Sequence, residues 1–167
     1  MFNSELLTIT IHNRINMVTI VEYENKFQAD FYRLNIAWLD KYDLTESHDL
    51  QILNDPEGTI IDKGGFIWLA KADDMIVGSA ALIKEANGSF ELAKMAVDDA
   101  YQGKGISKLL IEICIEKAKA VGAKKLELFS NHQLTTALGL YQKYGFHHVT
   151  VTDSPFETAD VKMEMNL

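Results

Sequence analysis

Apolar positions along the chain recur with two different periods, and the changes between them mark out the elements. Residues 6–11 (LLTITI) and 17–23 (MVTIVEY) have strand composition, with HNRIN between them as a turn. From Lys26 to Leu39 the spacing lengthens. Phe27, Phe31, Leu34 and Trp38 fall on one stripe, which predicts a helix with that stripe in the core. Residues 40–58 are polar, with a short helix around Ser47–Leu53 and a turn at Asp55-Pro56-Glu57-Gly58. Three strands then follow in close succession, FIWLAKA, MIVGSAALIKEA and SFELAKMAV, separated by Asp73-Asp74 and Asn87-Gly88. Asn-Gly tolerates positive φ at both central turn positions, so these strands read as antiparallel neighbours.

After Val97 the period changes again. Ile106, Leu109, Leu110 and Ile113, then Ala118 and Val121, make a helical stripe that ends at Gly122, with Lys117 and Lys119 complementing the dipole in the last turns. Leu126–Phe129 reads as a strand and Thr135–Tyr144 as a helix closed by Gly145. Phe146–Val151 and Val161–Met165 read as the last two strands. Strands first, then strand–helix–strand–helix–strand, imply a mixed sheet with helices packed on it.

Composition narrows the classes of function. With 167 residues the chain fits one domain with a substantial core. Its net charge of −8 argues against a nucleic-acid partner, because phosphate binding needs a basic face. An acidic surface steers cationic substrates inward, although acidity also serves solubility alone. No apolar run approaches the roughly 20 residues that span a bilayer, and the first residues lack the pattern of a secretory signal. A cytoplasmic protein is therefore expected, with no membrane partner. Cys114 is the single cysteine, which rules out an internal disulfide and a cysteine metal cluster. No metal is expected elsewhere. His147 and His148 are adjacent on a strand and point to opposite faces, and Asp40, Asp43, Glu46 and Asp49 lack the glycine-centred calcium loop.

The segment DDAYQGKG leads from a strand into a helix, whose first four N–H groups have no partner inside it. Those groups and the dipole make an anion site, and glycine lets a phosphate come close to the main chain. Lys104 and Lys108 add charge at the rim. The phosphate-loop pattern is absent, and Lys108 stands where a dinucleotide pattern needs a third glycine. On spacing alone, a plain turn before a helix explains the glycines equally well.

Taken together, these residues resemble the GNAT-type N-acetyltransferases. Their Arg/Gln-x-x-Gly-x-Gly/Ala pattern is matched by Gln102-Gly103-Lys104-Gly105-Ile106-Ser107, with serine where glycine or alanine is usual. A second family segment is matched downstream by Asn131, Ala137, Leu140, Tyr141, Gly145 and Phe146. The resemblance covers roughly residues 17–167. It implies one N-acetyltransferase domain over that range, with residues 1–16 as an extension or extra strand. It also implies an α+β, α/β/α sandwich-like fold, with a mixed, mostly antiparallel sheet, helices on both faces and splayed central strands.

The same resemblance implies a reaction: acetyl transfer from acetyl-CoA, as co-substrate, to a primary amine of a small molecule or peptide by direct attack. A catalytically quiet acyl-CoA-binding domain of the same fold, or a nucleotide-binding module using the same turn, stays open at this point. The pyrophosphate would lie on the amides of Gly103, Lys104, Gly105, Ile106, Ser107 and Lys108, and the pantetheine arm along Met95, Ala96 and Val97. Tyr141 matches the acid that protonates the leaving thiolate, and Asn131 a contact to the arm. Glu91 is the candidate base, with an exposed strand carboxylate as the plain alternative. Glu46, His48 and Asp49 are candidates for the acceptor side, with a solvated loop as theirs. Members of that family often form homodimers, so a second copy is a further expected partner.

Overall fold

The computed structural model describes residues 18–167. The extension over 1–16 and the strand expected at 6–11 lie outside the described residues. Strand β1 (Val18–Glu22) is followed by α1 (Gln28–Lys41), α2 (Ser47–Asn54) and a single wide turn over Glu57–Ile61. Next come β2 (Phe66–Ala72), β3 (Met75–Lys84) and β4 (Phe90–Val97). The second half holds α3 (Ile106–Ala120), β5 (Lys125–Ser130), α4 (Thr135–Lys143), β6 (His147–Val149) and β7 (Val161–Asn166).

Seven strands form one sheet in the order β1-β2-β3-β4-β5-β7-β6, and only the β4–β5 contact is parallel. Period-2 alternation sends side chains to two cores. On one face Leu82, Leu92, Leu126 and Met163 pack against Leu110, Ile111 and Cys114 of α3, with α4 beside it. On the other, Leu69, Ala81 and Ala96 meet Phe31 and Leu34 of α1 and Ile52 and Leu53 of α2. Each fully buried Leu or Ile of these stripes contributes roughly 1.5–3 kcal/mol, so packing rather than loop chemistry fixes where α3 starts. Gly78 allows the close approach. A Cβ there would lie 3.1 Å from Ile106 Cγ2 and 3.3 Å from Leu110 Cδ1.

Two features of β4 shape the centre of the sheet. Its parallel pairing with β5 ends after Phe90↔Leu126 and Glu91↔Glu127, and beyond that the strands part. Its register with β3 also shifts between Ser79 and Ala81, where Lys94 adopts φ 52°. That left-handed conformation is uncommon for a lysine, and it is held from below. The Ser79 hydroxyl donates to the Lys94 carbonyl at 2.8 Å, and Asn35 of α1 donates to Ser79 Oγ at 3.0 Å.

Two expectations are adjusted. The last-but-one strand is shorter than 146–151, because Phe146 turns into the core and its amide caps α4 through the Tyr141 carbonyl. The chain at Asp55–Gly58 winds into the wide turn instead of reversing, with Asp55 capping it through the Gly58 amide at 2.9 Å.

Replacing Ser79 by Ala strips the buried Lys94 carbonyl of its donor. The expected loss is roughly 1–3 kcal/mol, read as a lower urea midpoint. An unchanged midpoint would show that the bulge stands without this anchor.

Candidate active site

The loop between β4 and α3 is built to present donors. Asp98 starts it, its carboxylate accepting from the Ala100 amide at 2.9 Å, and Gln102 braces it by donating to the Val97 carbonyl at 3.3 Å and to Asp99 at 3.0 Å. Gly103 and Gly105 then take φ 74° and 81°, values that explain why glycine occupies both places. Gly105 is the cap residue of α3 and offers no side chain to its first turn. Among the described residues, no amide from Gly103 to Lys108 donates to a protein acceptor, whereas the Leu109 amide already bonds the Gly105 carbonyl. Six donors therefore lack a protein partner. All of these residues but Lys104 line a groove of about 430 Å³, walled by Val97 and Tyr101 on one side and by Thr135, Gly139 and Leu140 of α4 on the other.

Where β4 and β5 part, a second cavity of about 120 Å³ opens between them. Met95, Glu91, Asn131 and Tyr141 all line it, so residues 50 apart in sequence meet in one chamber. Ala96 and Val97 remain paired with Ser79 and Gly78 of β3, and their other edge faces the gap. Tyr141 is half-buried, its ring edge-on to Phe146 at 5.9 Å. Burial, with buried Cys114 close by, pushes its phenol up to about 12, so it holds its proton at neutral pH. Asn131 is buried, and its side chain is occupied, donating to the Thr158 carbonyl at 2.8 Å and accepting from the Gln133 amide at 3.0 Å.

Glu91 is 5% exposed, so the exposed-carboxylate alternative does not hold. Burial is the main cause that raises its carboxyl to about 7; Lys94 opposes the rise, and Glu85, Glu127 and Asp49 add to it. It also lines a larger chamber of about 570 Å³ that opens on the far side, shared with Phe129 and bordered by His48. Glu91 thus stands between two cavities.

The three acceptor-side candidates differ in what holds them. Glu46 accepts from the Glu157 amide at 2.8 Å and from the Thr158 amide and hydroxyl, contacts that hold its carboxyl below the usual range despite partial desolvation. It fastens α2 to the loop before β7 and is not free to bind a ligand. His48 packs its ring edge-on against Phe156 at 5.1 Å. Asp49 is 2% exposed, forms an ion pair with Lys94, and accepts from the Glu46 amide at 3.0 Å. These residues form a folded wall, not a solvated loop. The sequence reading missed Lys94, whose ammonium lies 5.2 Å from the Phe156 ring centre within the same wall. A lone lysine in an apolar strand was the available signal.

Among the described residues, no group of three or more His, Cys, Asp or Glu is arranged to hold a metal ion. No helix among them is long and apolar enough to cross a membrane.

Two outcomes follow from this geometry. Gly105→Val forces a β-branched residue to φ 81°, and calorimetric affinity for coenzyme A should fall at least about tenfold; retained affinity would remove the anion site. Glu91 is ionised above about 4.5 when unfolded but only above about 7 when folded, so its burial lowers stability progressively as pH rises between those values. Glu91→Gln should therefore raise the melting temperature at pH 8 more than at pH 5, and an equal change at both would show that Glu91 is not desolvated.

The chain is similar to known proteins in sequence and in fold. A family model described as an acetyltransferase (GNAT) domain matches residues 44–167. The chain is similar to YvbK, an uncharacterized N-acetyltransferase of Bacillus subtilis, at 36% identity over 104 residues, which span 60% of this chain and 67% of that protein. Other curated relatives are longer, and the matched stretch spans as little as 30% of them. The fold is shared with a GNAT-family acetyltransferase from Staphylococcus aureus Mu50, with a TM-score of 0.82 at 24% identity over 90% of this chain and 99% of that one. It is shared also with the PaiA N-acetyltransferase of Thermoplasma acidophilum in complex with coenzyme A, with a TM-score of 0.70 at 18% identity over 90% and 99%.

Proposed function

Because the chain belongs to the acetyltransferase (GNAT) family, whose members take acetyl-CoA as co-substrate, we propose that it acetylates a primary amine of a small molecule or peptide in the cytoplasm, by direct attack within a ternary complex. The observation that carries this reading is the set of six unpaired amides at residues 103–108, five of them on residues that line the groove past the end of β4, beyond the point where β4 and β5 part. The diphosphate of coenzyme A fits those donors, since charge-assisted bonds to backbone N–H groups at a helix start need no further cation. Lys104 and Lys108 flank it. The pantetheine arm would pair with the free edge of β4 at Met95, Ala96 and Val97, so the acetyl group arrives beside Glu91 and Tyr141.

An acceptor amine enters from the larger chamber on the far side of Glu91. As an ammonium ion with a pKa near 10 it cannot attack until it loses a proton. Glu91, with its carboxyl near 7, is ionised in about half the molecules at neutral pH and takes that proton directly or through water. The nitrogen then bonds to the thioester carbon, whose oxygen gains charge beside the β4 main chain. On collapse the carbon–sulfur bond breaks, Tyr141 donates its proton to the departing thiolate, and the nitrogen's remaining extra proton passes through water to the tyrosinate, leaving a neutral amide. Asn131 serves the site by holding the loops beside Tyr141, and His48 by shaping the acceptor chamber. Glu46 and Asp49 act through the wall they build. Assembly as a homodimer belongs to this reading as a family trait.

Release of free thiol from acetyl-CoA across a panel of amines tests the proposal. Stabilisation by coenzyme A with no thiol release would leave a quiet acyl-CoA-binding domain, and stronger stabilisation by ATP or NAD would replace both with a nucleotide-binding module. Tyr141→Phe should lower kcat on the order of tenfold to a hundredfold while changing coenzyme A affinity by no more than about twofold. Unchanged turnover would remove Tyr141 as the acid.

A further inference from the structure

Four titratable side chains stand in one rank across the sheet. Glu91 on β4 is in register with Glu127 on β5, Glu127 with Glu164 on β7, and Glu164 with His147 on β6. Register partners share a face, and neighbouring strands lie about 4.8 Å apart, so Glu91 and Glu127 are direct neighbours. Both are buried, at 5% and 9% exposed. Two buried carboxylates side by side cannot both ionise freely, and their surroundings decide which one does. Lys125 lies 3.7 Å from Glu127 and 2.9 Å from Glu164, while Lys162 lies 3.5 Å and 3.9 Å from the same two. Glu91 has no cation within 4.0 Å among the described residues, since Lys94 is paired with Asp49.

We propose that Glu127, paired with Lys125 and Lys162, is a positioning residue that sets the proton affinity of Glu91 and with it the pH range in which the acceptor amine is deprotonated. The inference rests on the reading of Glu91 as the base. Other charges also face Glu91. Lys94 reaches it from its own strand, Asp49 and His48 from α2, Glu85 from the end of β3, and Asp153 from the loop before β7; Lys63 and Lys84 stand at the chamber mouth. Asp49 is largely cancelled by Lys94, and Glu85 sits at the half-buried hairpin end. Glu127 differs from them all in being a register neighbour that two ammonium groups approach, at 3.7 Å and 3.5 Å. Removing its charge also leaves those two ammonium groups with Glu164 as their shared carboxylate partner, so both consequences act in one direction.

The test is the pH dependence of kcat/KM, together with carboxyl-carbon NMR titration of Glu91 in selectively labelled protein, its signal assigned with Glu91→Gln. In Glu127→Gln the Glu91 midpoint and the acid limb should move down by roughly half a unit to one unit, making the enzyme about three- to tenfold faster well below the limb. In Lys162→Met both should move up, and Lys125→Met should do the same if either other variant fails to fold. Opposite shifts for opposite charges are something a general loosening of the sheet would not produce. A Glu91 midpoint unmoved in Glu127→Gln, or moved in the same direction by removal of either charge, overturns the inference. If Glu91→Gln keeps the acid limb, the base assignment fails, while the NMR midpoints still decide what Glu127 does.

Discussion

The parting of β4 from β5 is the constraint on which the site depends. A sheet normally satisfies every interior amide and carbonyl through its neighbours, and here the central pair stops after two register partners. Polar main chain is thereby left facing a cavity in the middle of the molecule. Such a gap would close by ordinary pairing unless something held the strands apart. The bulge at Lys94 does this from the β3 side. Its left-handed residue is inaccessible to a regular strand, and Ser79 and Asn35 fasten it to α1. The gap and the six free amides at the start of α3 lie at the same end of β4, so one extended ligand can satisfy both.

The wall built from α2, the bulge and the loop before β7 obeys a different logic. Asp49 and Lys94 are an ion pair almost without solvent, and such a pair often contributes little net stability once desolvation is counted. Its value is geometric. It ties α2 to the bulge, while Glu46 ties α2 to the loop before β7, so three segments distant in sequence close around one chamber. Breaking either tie would leave a buried charge or orphaned amides, a heavier penalty than the bond itself is worth.

These differences explain what the sequence could reveal. The glycine pair was legible because positive φ leaves a residue-type mark, and the hairpins and helical stripes because period and turn chemistry are local. The unpaired amides followed from a helix start without a side-chain cap. Glu91 was legible as a candidate but not as a buried one, since its burial comes from α2 and the loop before β7, which approach from 40 residues upstream and 60 downstream. Lys94 stood out only as a lone lysine in an apolar strand, since a strand that alternates by twos gives no hint of a bulge that turns one residue out of register. The ordered wall at residues 46–49 looked like a solvated loop because polar side chains that bond to distant backbone have the same composition as those that bond to water.

A buried carboxyl raised to about 7 has to be assembled against the tendency of folding to exclude carboxylates from interiors. Burial alone would have served, but burial alone also makes the group neutral, and a neutral acid accepts no proton. The neighbouring Lys94 keeps the ionised form within reach, while Glu85, Glu127 and Asp49 keep it from becoming too stable. The proton affinity is therefore a balance among charges from four elements, each fixed by a contact made for the fold. Moving the sheet register by one residue would send Glu91 to the opposite face and dissolve that balance. The chemistry and the β4–β5 register are, in this protein, one constraint.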